Sequence, residues 1–260
     1  MTGAAASPLD PNPHPHPLDN LIWDALTSRQ AGFALGGESA RRFRSDVAPF
    51  AAIARPDDES YAALADLVEE HGQAVLFTAH RVAPDPSLLT VAFELPLTQM
   101  IVHDLRPPAD DLDVIELGPE DVPEMIALVE STRPGPYKQR TIQLGRYIGI
   151  RQQGQLVAMG GERLKPEGFT EISAVCTHPD WRGRGYASGI VSRMAQHIQA
   201  RGDTAILHTG SSNTTAISVY RHLGFELRRE LYVTAVEPAV RPETREPVLS
   251  GNKGNASGRP

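Results

Sequence analysis

The stretch Arg182-Gly183-Arg184-Gly185-Tyr186-Ala187-Ser188 is the one best suited to chemistry. An apolar run, Ile172 to Thr177, leads into it and an amphipathic run follows, so it reads as a turn between a strand and a helix. Backbone N–H groups left free at the mouth of a helix attract an anion, and glycines let that backbone come close. A pyrophosphate suits such a cradle, with Arg182 and Arg184 available to add charge or simply solvated. Downstream, Asn213 and Tyr220 stand seven positions apart and share one face of a predicted helix. Asn213 reads as a helix cap, and Tyr220 as an aromatic packed ahead of Leu223 and Phe225. Three groups are candidates to accept a proton. Glu171 comes first, on a strand face with Ser173, Val175 and Thr177 if side chains alternate. His208 comes second, with an ordinary pKa of about 6.5 that suits base work at neutral pH. Glu162, on a predicted hairpin, is third, and a relay through water is an equal alternative to all of them.

Several anion-binding turns compete for this loop. A triphosphate-binding GxxxxGK[ST] string is absent. A dinucleotide GxGxxG pattern finds its first two glycines at 183 and 185 but serine at 188. A plain glycine turn is the third reading, and an acyl-CoA loop, Arg-x-x-Gly-x-Ala, is the fourth. The run VCTHPDWRGRGYA resembles the acetyl-CoA signature of the GNAT superfamily of N-acetyltransferases. The segment from Asn213 through Ala216 and Tyr220 to Gly224-Phe225 resembles that superfamily's second signature, Asn-x-x-Ala-x-x-x-Tyr-x-x-x-Gly-Phe. Both occur in order, across about 113–236. Pro134-Gly135-Pro136-Tyr137 and Arg140-Thr141 look closest to the glycine N-acyltransferase-like branch.

The resemblance implies acetyl-CoA as co-substrate, its pyrophosphate wrapped by the N–H groups of Gly183, Arg184, Gly185, Tyr186, Ala187 and Ser188. It implies a pantetheine arm lying along Val175, Cys176 and Thr177, a contact from Asn213, and Tyr220 returning a proton to the departing thiolate. The eleven positions between Glu171 and Arg182 match the placing of a basic glutamate in some members, and others carry a glutamate near the position of His208. The acceptor then faces helix 120–131, the loop 133–140 and the Glu162 hairpin, where Tyr137, Lys138 and Arg140 are placed to meet a carboxylate. The implied fold is α+β, a three-layer GNAT arrangement with a mixed, mostly antiparallel sheet flanked by helices. The implied activity is N-acetyl transfer to a small amine or amino acid by direct attack in a ternary complex. A non-catalytic acyl-CoA sensor and a dinucleotide oxidoreductase are the rivals.

The elements that must position these groups come from periodicity. Helices are expected at 18–28, 57–71, 120–131, 185–200 and 213–223. Strands are expected at 42–54, 74–78, 88–94, 113–117, 146–151, 155–164, 169–177, 204–208 and 225–233. Pro107-Pro108 begins a linker, which divides the chain into an N-terminal α+β unit at 18–110, a degenerate half of the same fold being one option, and a main domain at 113–236. Proline-rich 1–17, with His14 and His16 solvated, reads as a disordered leader, and 237–260 as a disordered tail.

Composition narrows the class. The chain has 260 residues, 40% hydrophobic, with net charge −7, which opposes a nucleic-acid partner. A single cysteine, Cys176, excludes an internal disulfide and reads as an inert core residue in a cytoplasmic protein. Neither an apolar run of membrane-spanning length nor a secretory signal pattern is seen. No metal is expected, and the chain is read as a monomer or homodimer.

Overall fold

A computed structural model describes residues 16–108 and 112–239. The readings made for most of the leader, including His14, for linker residues 109–111 and for the tail from 240 lie outside the described residues. Helix α1 (Leu21–Thr27) follows a 3₁₀ turn and buries Leu21, Ile22, Ala25 and Leu26. Strands β1 (Ala34–Gly36), β2 (Ala40–Phe43) and β3 (Ala51–Ile53) then form a small antiparallel sheet, in which β2 and β3 replace the single strand that the sequence suggests at 42–54. Helix α2 (Asp58–His71) starts because the Asp57 carboxylate accepts the Ser60 N–H at 2.9 Å. Its carbonyl end is held by buried Arg42, which donates to Leu67 O at 3.2 Å and to Gly72 O at 2.7 Å, a cation at the negative end of the helix.

Strands β4 (Ala74–Thr78) and β5 (Leu89–Val102) leave that unit and enter the main sheet. Strand β6 (Ile115–Glu116) and helix α3 (Val122–Thr132) come next, followed by the hairpin of β7 (Tyr147–Gln152) and β8 (Gln155–Glu162). Strand β9 (Phe169–Thr177), helix α4 (Tyr186–Ala200), strand β10 (Thr204–Gly210), helix α5 (Thr214–His222) and strand β11 (Glu226–Pro238) complete the described chain.

The eight strands run in the order β4-β11-β5-β10-β9-β8-β7-β6, and β9–β10 is the parallel pair in an otherwise antiparallel sheet. This is the mixed, helix-flanked sheet that the sequence implies. The sheet crosses the division drawn near 110, because β5 lies between β10 and β11. A proline-rich break marks a loop but carries no information about which strands pair across it.

Both faces of the sheet are covered. On one, α4 lays Ile190, Val191, Met194 and Ile198 over Val157, Ile172, Ala205 and Leu207. On the other, α3 covers Tyr147, Leu156, Met159 and Cys176. Beside α3 on that second face, α1 and Phe50 cover Leu97, Ile206 and Leu231.

Candidate active site

The site begins where two parallel strands part. Pairing of β9 with β10 runs from Phe169–Thr204 to Ile172–Leu207 and stops. β9 continues to Thr177, held by β8, and β10 continues to Gly210, held by β5. Between them, the backbone of 173–177 presents an edge with no strand partner among the described residues. At the start of that edge Ala174 has φ 54, a left-handed value, and the β8–β9 register slips between Met159 and Gly161. This bulge breaks the alternation assumed from sequence. Val175 packs on the α4 side with Ile172, whereas Ala174 and Cys176 pack on the α3 side, so Glu171 and Val175 do not share a face. Buried Cys176, its thiol pushed up to about 11 by desolvation, is a core residue whose backbone lines the edge.

Past the edge, a 3₁₀ turn (Pro179–Trp181) leads into the glycine loop. Gly183 and Gly185 have φ of 76 and 77, and a Cβ at either position would meet open space. Their need for glycine is conformational, and the space in front of the loop is clear for a ligand. Gly185 caps α4, whose first N–H groups have no partner within the helix. Arg184 stacks on the Trp181 ring at 4.6 Å, and Arg182 Nε donates back to Thr177 O at 3.3 Å. Asn213 is a cap, its Oδ1 accepting the Ala216 N–H at 3.1 Å. Two turns on, Tyr220 packs on Phe225, and burial pushes its phenol up to about 12, so it carries its proton at neutral pH.

The base candidates have other employment. Glu171 is fully buried and takes Arg163 Nε at 2.9 Å and Nη2 at 2.7 Å, and its Oε1 lies 2.7 Å from His208 Nδ1. Although desolvation alone would raise it, Arg163 and His208 hold the carboxyl at about 2. A carboxylate so low and so fully bonded is a poor proton acceptor. The carboxylate read from sequence as the first candidate base is thus already paired with Arg163 and His208. His208 is equally committed. Arg228 has only donors and gives one to Gln99 Oε1 at 2.8 Å, so the Gln99 amide nitrogen faces His208 Nε2 at 3.0 Å. Nε2 therefore accepts, and Nδ1–H donates to Glu171. Glu162, also fully buried, pairs with Lys165 at 2.7 Å and Arg201 at 2.7 Å and is held below the usual carboxylate range.

In the loop read as an acceptor wall, Arg140 is paired with the exposed Asp46 at 2.8 Å. Lys138 lies exposed nearby. Tyr137 donates to Met125 Sδ at 3.6 Å and stands edge-on to Tyr147, and a cavity of about 450 Å³ lies between it and Arg133. Sequence reading missed Arg163, Gln99 and Arg228. Only Arg163 left a signal, as a charge following Glu162 directly at the end of an apolar strand. Among the described residues no cluster of metal-binding side chains occurs, and no helix is long and apolar enough to cross a membrane.

Comparison with known proteins agrees with this geometry. The model of the FR47-like protein family matches residues 147–234, from β7 through the glycine loop and Tyr220 into β11. A 52-residue segment is 40% identical to acetyltransferase SG1711 of Sodalis glossinidius (strain morsitans), covering 20% of this chain and 37% of that protein. The match thus spans little more than a third of that relative. A crystal structure of a protein assigned to the GNAT family of acetyltransferases, from Novosphingobium aromaticivorans, is 37% identical, with TM-score 0.80 over 86% of this chain and 99% of that one. A GCN5-related N-acetyltransferase from Kribbella flavida, 20% identical with TM-score 0.56 over 84% of this chain and 93% of its own, shares the fold.

Proposed function

Since the chain belongs to the GNAT family of acetyltransferases, we propose that it transfers an acetyl group from acetyl-CoA to an amine by direct attack in a ternary complex. The observation that carries this is the parting of β9 and β10 after Ile172–Leu207, which opens an unpaired edge leading straight to the Gly183–Ser188 turn. The residues fit the donor. The turn offers free N–H groups to a pyrophosphate, and the edge at Val175, Cys176 and Thr177 offers backbone groups to a pantetheine amide. A backbone N–H on the same edge serves the thioester oxygen as charge builds there.

In this reading the amine nitrogen bonds to the thioester carbon, the C–S bond breaks, and the thiolate leaves. Tyr220 supplies the proton that the sulfur takes up and regains one from solvent. The amine surrenders its proton to water, because Glu171, His208 and Glu162 are all engaged in buried pairs. Glu171 and His208 instead keep β9 and β10 in fixed relation across the cleft. The acceptor is a small amine or amino acid. Pro134-Gly135-Pro136-Tyr137 and Arg140-Thr141 support the glycine N-acyltransferase-like branch, and the buried free thiol of Cys176 suits a cytoplasmic setting.

The test is thiol release from acetyl-CoA over a panel of amines and amino acids, with wild type and Tyr220→Phe. The expected result is turnover with at least one acceptor and a kcat lower by roughly 10²–10⁴-fold in the variant. An undiminished Tyr220→Phe rate across pH would remove the phenol from the reaction. Acetyl-CoA binding without turnover on any acceptor would favour an acyl-CoA sensor.

A further inference from the structure

Tyr147, on β7, is a buried polar side chain that the reaction above does not use. Its side chain is 1% exposed, and its hydroxyl has no hydrogen-bond partner. Such groups are rare, because a buried O–H gives up water for nothing. A second orphan, Thr177 Oγ1, lies on the unpaired β9 edge itself.

The ring has a defined direction. Tyr147 sits on β7 opposite Gly161 of β8, and a Cβ at 161 would collide with ring atoms Cγ, Cδ1 and Cε1 of Tyr147. The tyrosine therefore lies across β8 through the gap that this glycine leaves. Gly161 in turn pairs with Ser173 of β9, the first residue beyond the point where β9 and β10 part. The bulge residue Ala174 packs against the same cluster as Tyr147, and Tyr137 braces the ring edge-on with centroids 5.6 Å apart. Burial drives the phenol well above its ordinary range, so the oxygen always bears a proton to give. Arg163 and Glu171 neutralise one another close by, whereas the buried hydroxyl is left without a partner among the described residues.

We propose that the Tyr147 hydroxyl binds the acceptor, donating a hydrogen bond to a carbonyl or carboxylate oxygen next to the attacking nitrogen. The acceptor class is accordingly an α-amino acid, its amide or a peptide terminus rather than a simple alkylamine. This rests on the acetyltransferase reading and narrows its substrate.

The test compares wild type with Tyr147→Phe on two acceptors of similar size, glycinamide and propylamine. Each protein's ratio of kcat/KM between the two is the readout, since differences in amine reactivity then cancel. Losing one hydrogen bond should lower the variant's ratio by about tenfold. The KM for acetyl-CoA should not change, and the melting temperature should hold or rise, because an orphan hydroxyl is being removed. A ratio unchanged by the substitution overturns the assignment, as does a fall in melting temperature of several degrees, which would reveal a structural partner. If wild type turns over alkylamines but not glycinamide, the acceptor class is wrong while acetyl transfer stands. If wild type acetylates no amine of any kind, the acetyltransferase reading fails and takes this inference with it.

Discussion

The two sides of the cleft are built on opposite plans. The side proposed for the donor is a short, contiguous turn, Arg182 to Ser188, which would bind through backbone N–H groups and whose few side-chain bonds are weak. Opposite it lies a largely buried row of charges and dipoles, Arg163–Glu171–His208–Gln99–Arg228–Asp19, gathered from six separate parts of the chain. An anion cradle needs only backbone geometry, which a few glycines specify locally. Buried charges need one another, and none of these makes sense without a partner distant in sequence.

That contrast can be broken most severely at Arg163. Arg163→Met leaves the buried Glu171 carboxylate with only His208 and the Leu164 N–H, and denaturant unfolding should show a loss of about 3–5 kcal/mol. A loss below about 1 kcal/mol would mean that the row tolerates a missing member and that the comparison is overdrawn. Acid should attack the same side. Glu171 is depressed from its ordinary 4.5 to about 2 in the folded protein, so its contribution is complete above pH 4.5 and is lost as pH falls from there toward 2. Stability curves should bend in that window for wild type and flatten in Arg163→Met.

Smaller effects are expected across the cleft. Gly185→Val forces a β-branched residue to φ 77, which costs roughly 1–2 kcal/mol, and the distorted turn should weaken acetyl-CoA binding by about tenfold in calorimetry. Smallest of all, Arg184→Ala removes only a stacked surface cation worth under about 1 kcal/mol. Its few-fold loss of acetyl-CoA affinity at low salt should shrink as salt is raised. A large, salt-independent loss there would show that the donor side also depends on a committed charge.

The same division decides what the sequence reveals. The glycine turn, the Asn213 cap and the Tyr220 helix are short-range features, and each is found where residue types and spacing place it. Helix α2 and strand β9 are equally local, with Asp57 capping one and β-branched residues filling the other. Glu171 was visible as a carboxylate near the cleft, but its state was not. The guanidinium that lowers it comes from β8's end, and the amide that fixes His208 comes from β5. The bulge at Ala174 was hidden too, since a non-glycine residue in a left-handed conformation leaves no mark in composition. The pairing of Arg140 was hidden for a like reason, because its partner Asp46 belongs to the other half of the chain.

Strand β5, lodged between β10 and β11, makes synthesis order matter. Its last residue, Val102, is made about a hundred residues before β10 begins at Thr204. At roughly 5–20 residues per second, that interval lasts on the order of 5–20 seconds. Throughout it, a fourteen-residue strand bearing Val91, Phe93 and Leu95 waits without either neighbour. Those three side chains stay exposed even in the finished fold. The nascent chain thus carries a sticky, unpartnered edge while about a hundred further residues are made, and its yield in the cell should depend on whatever shields that edge until the second half arrives.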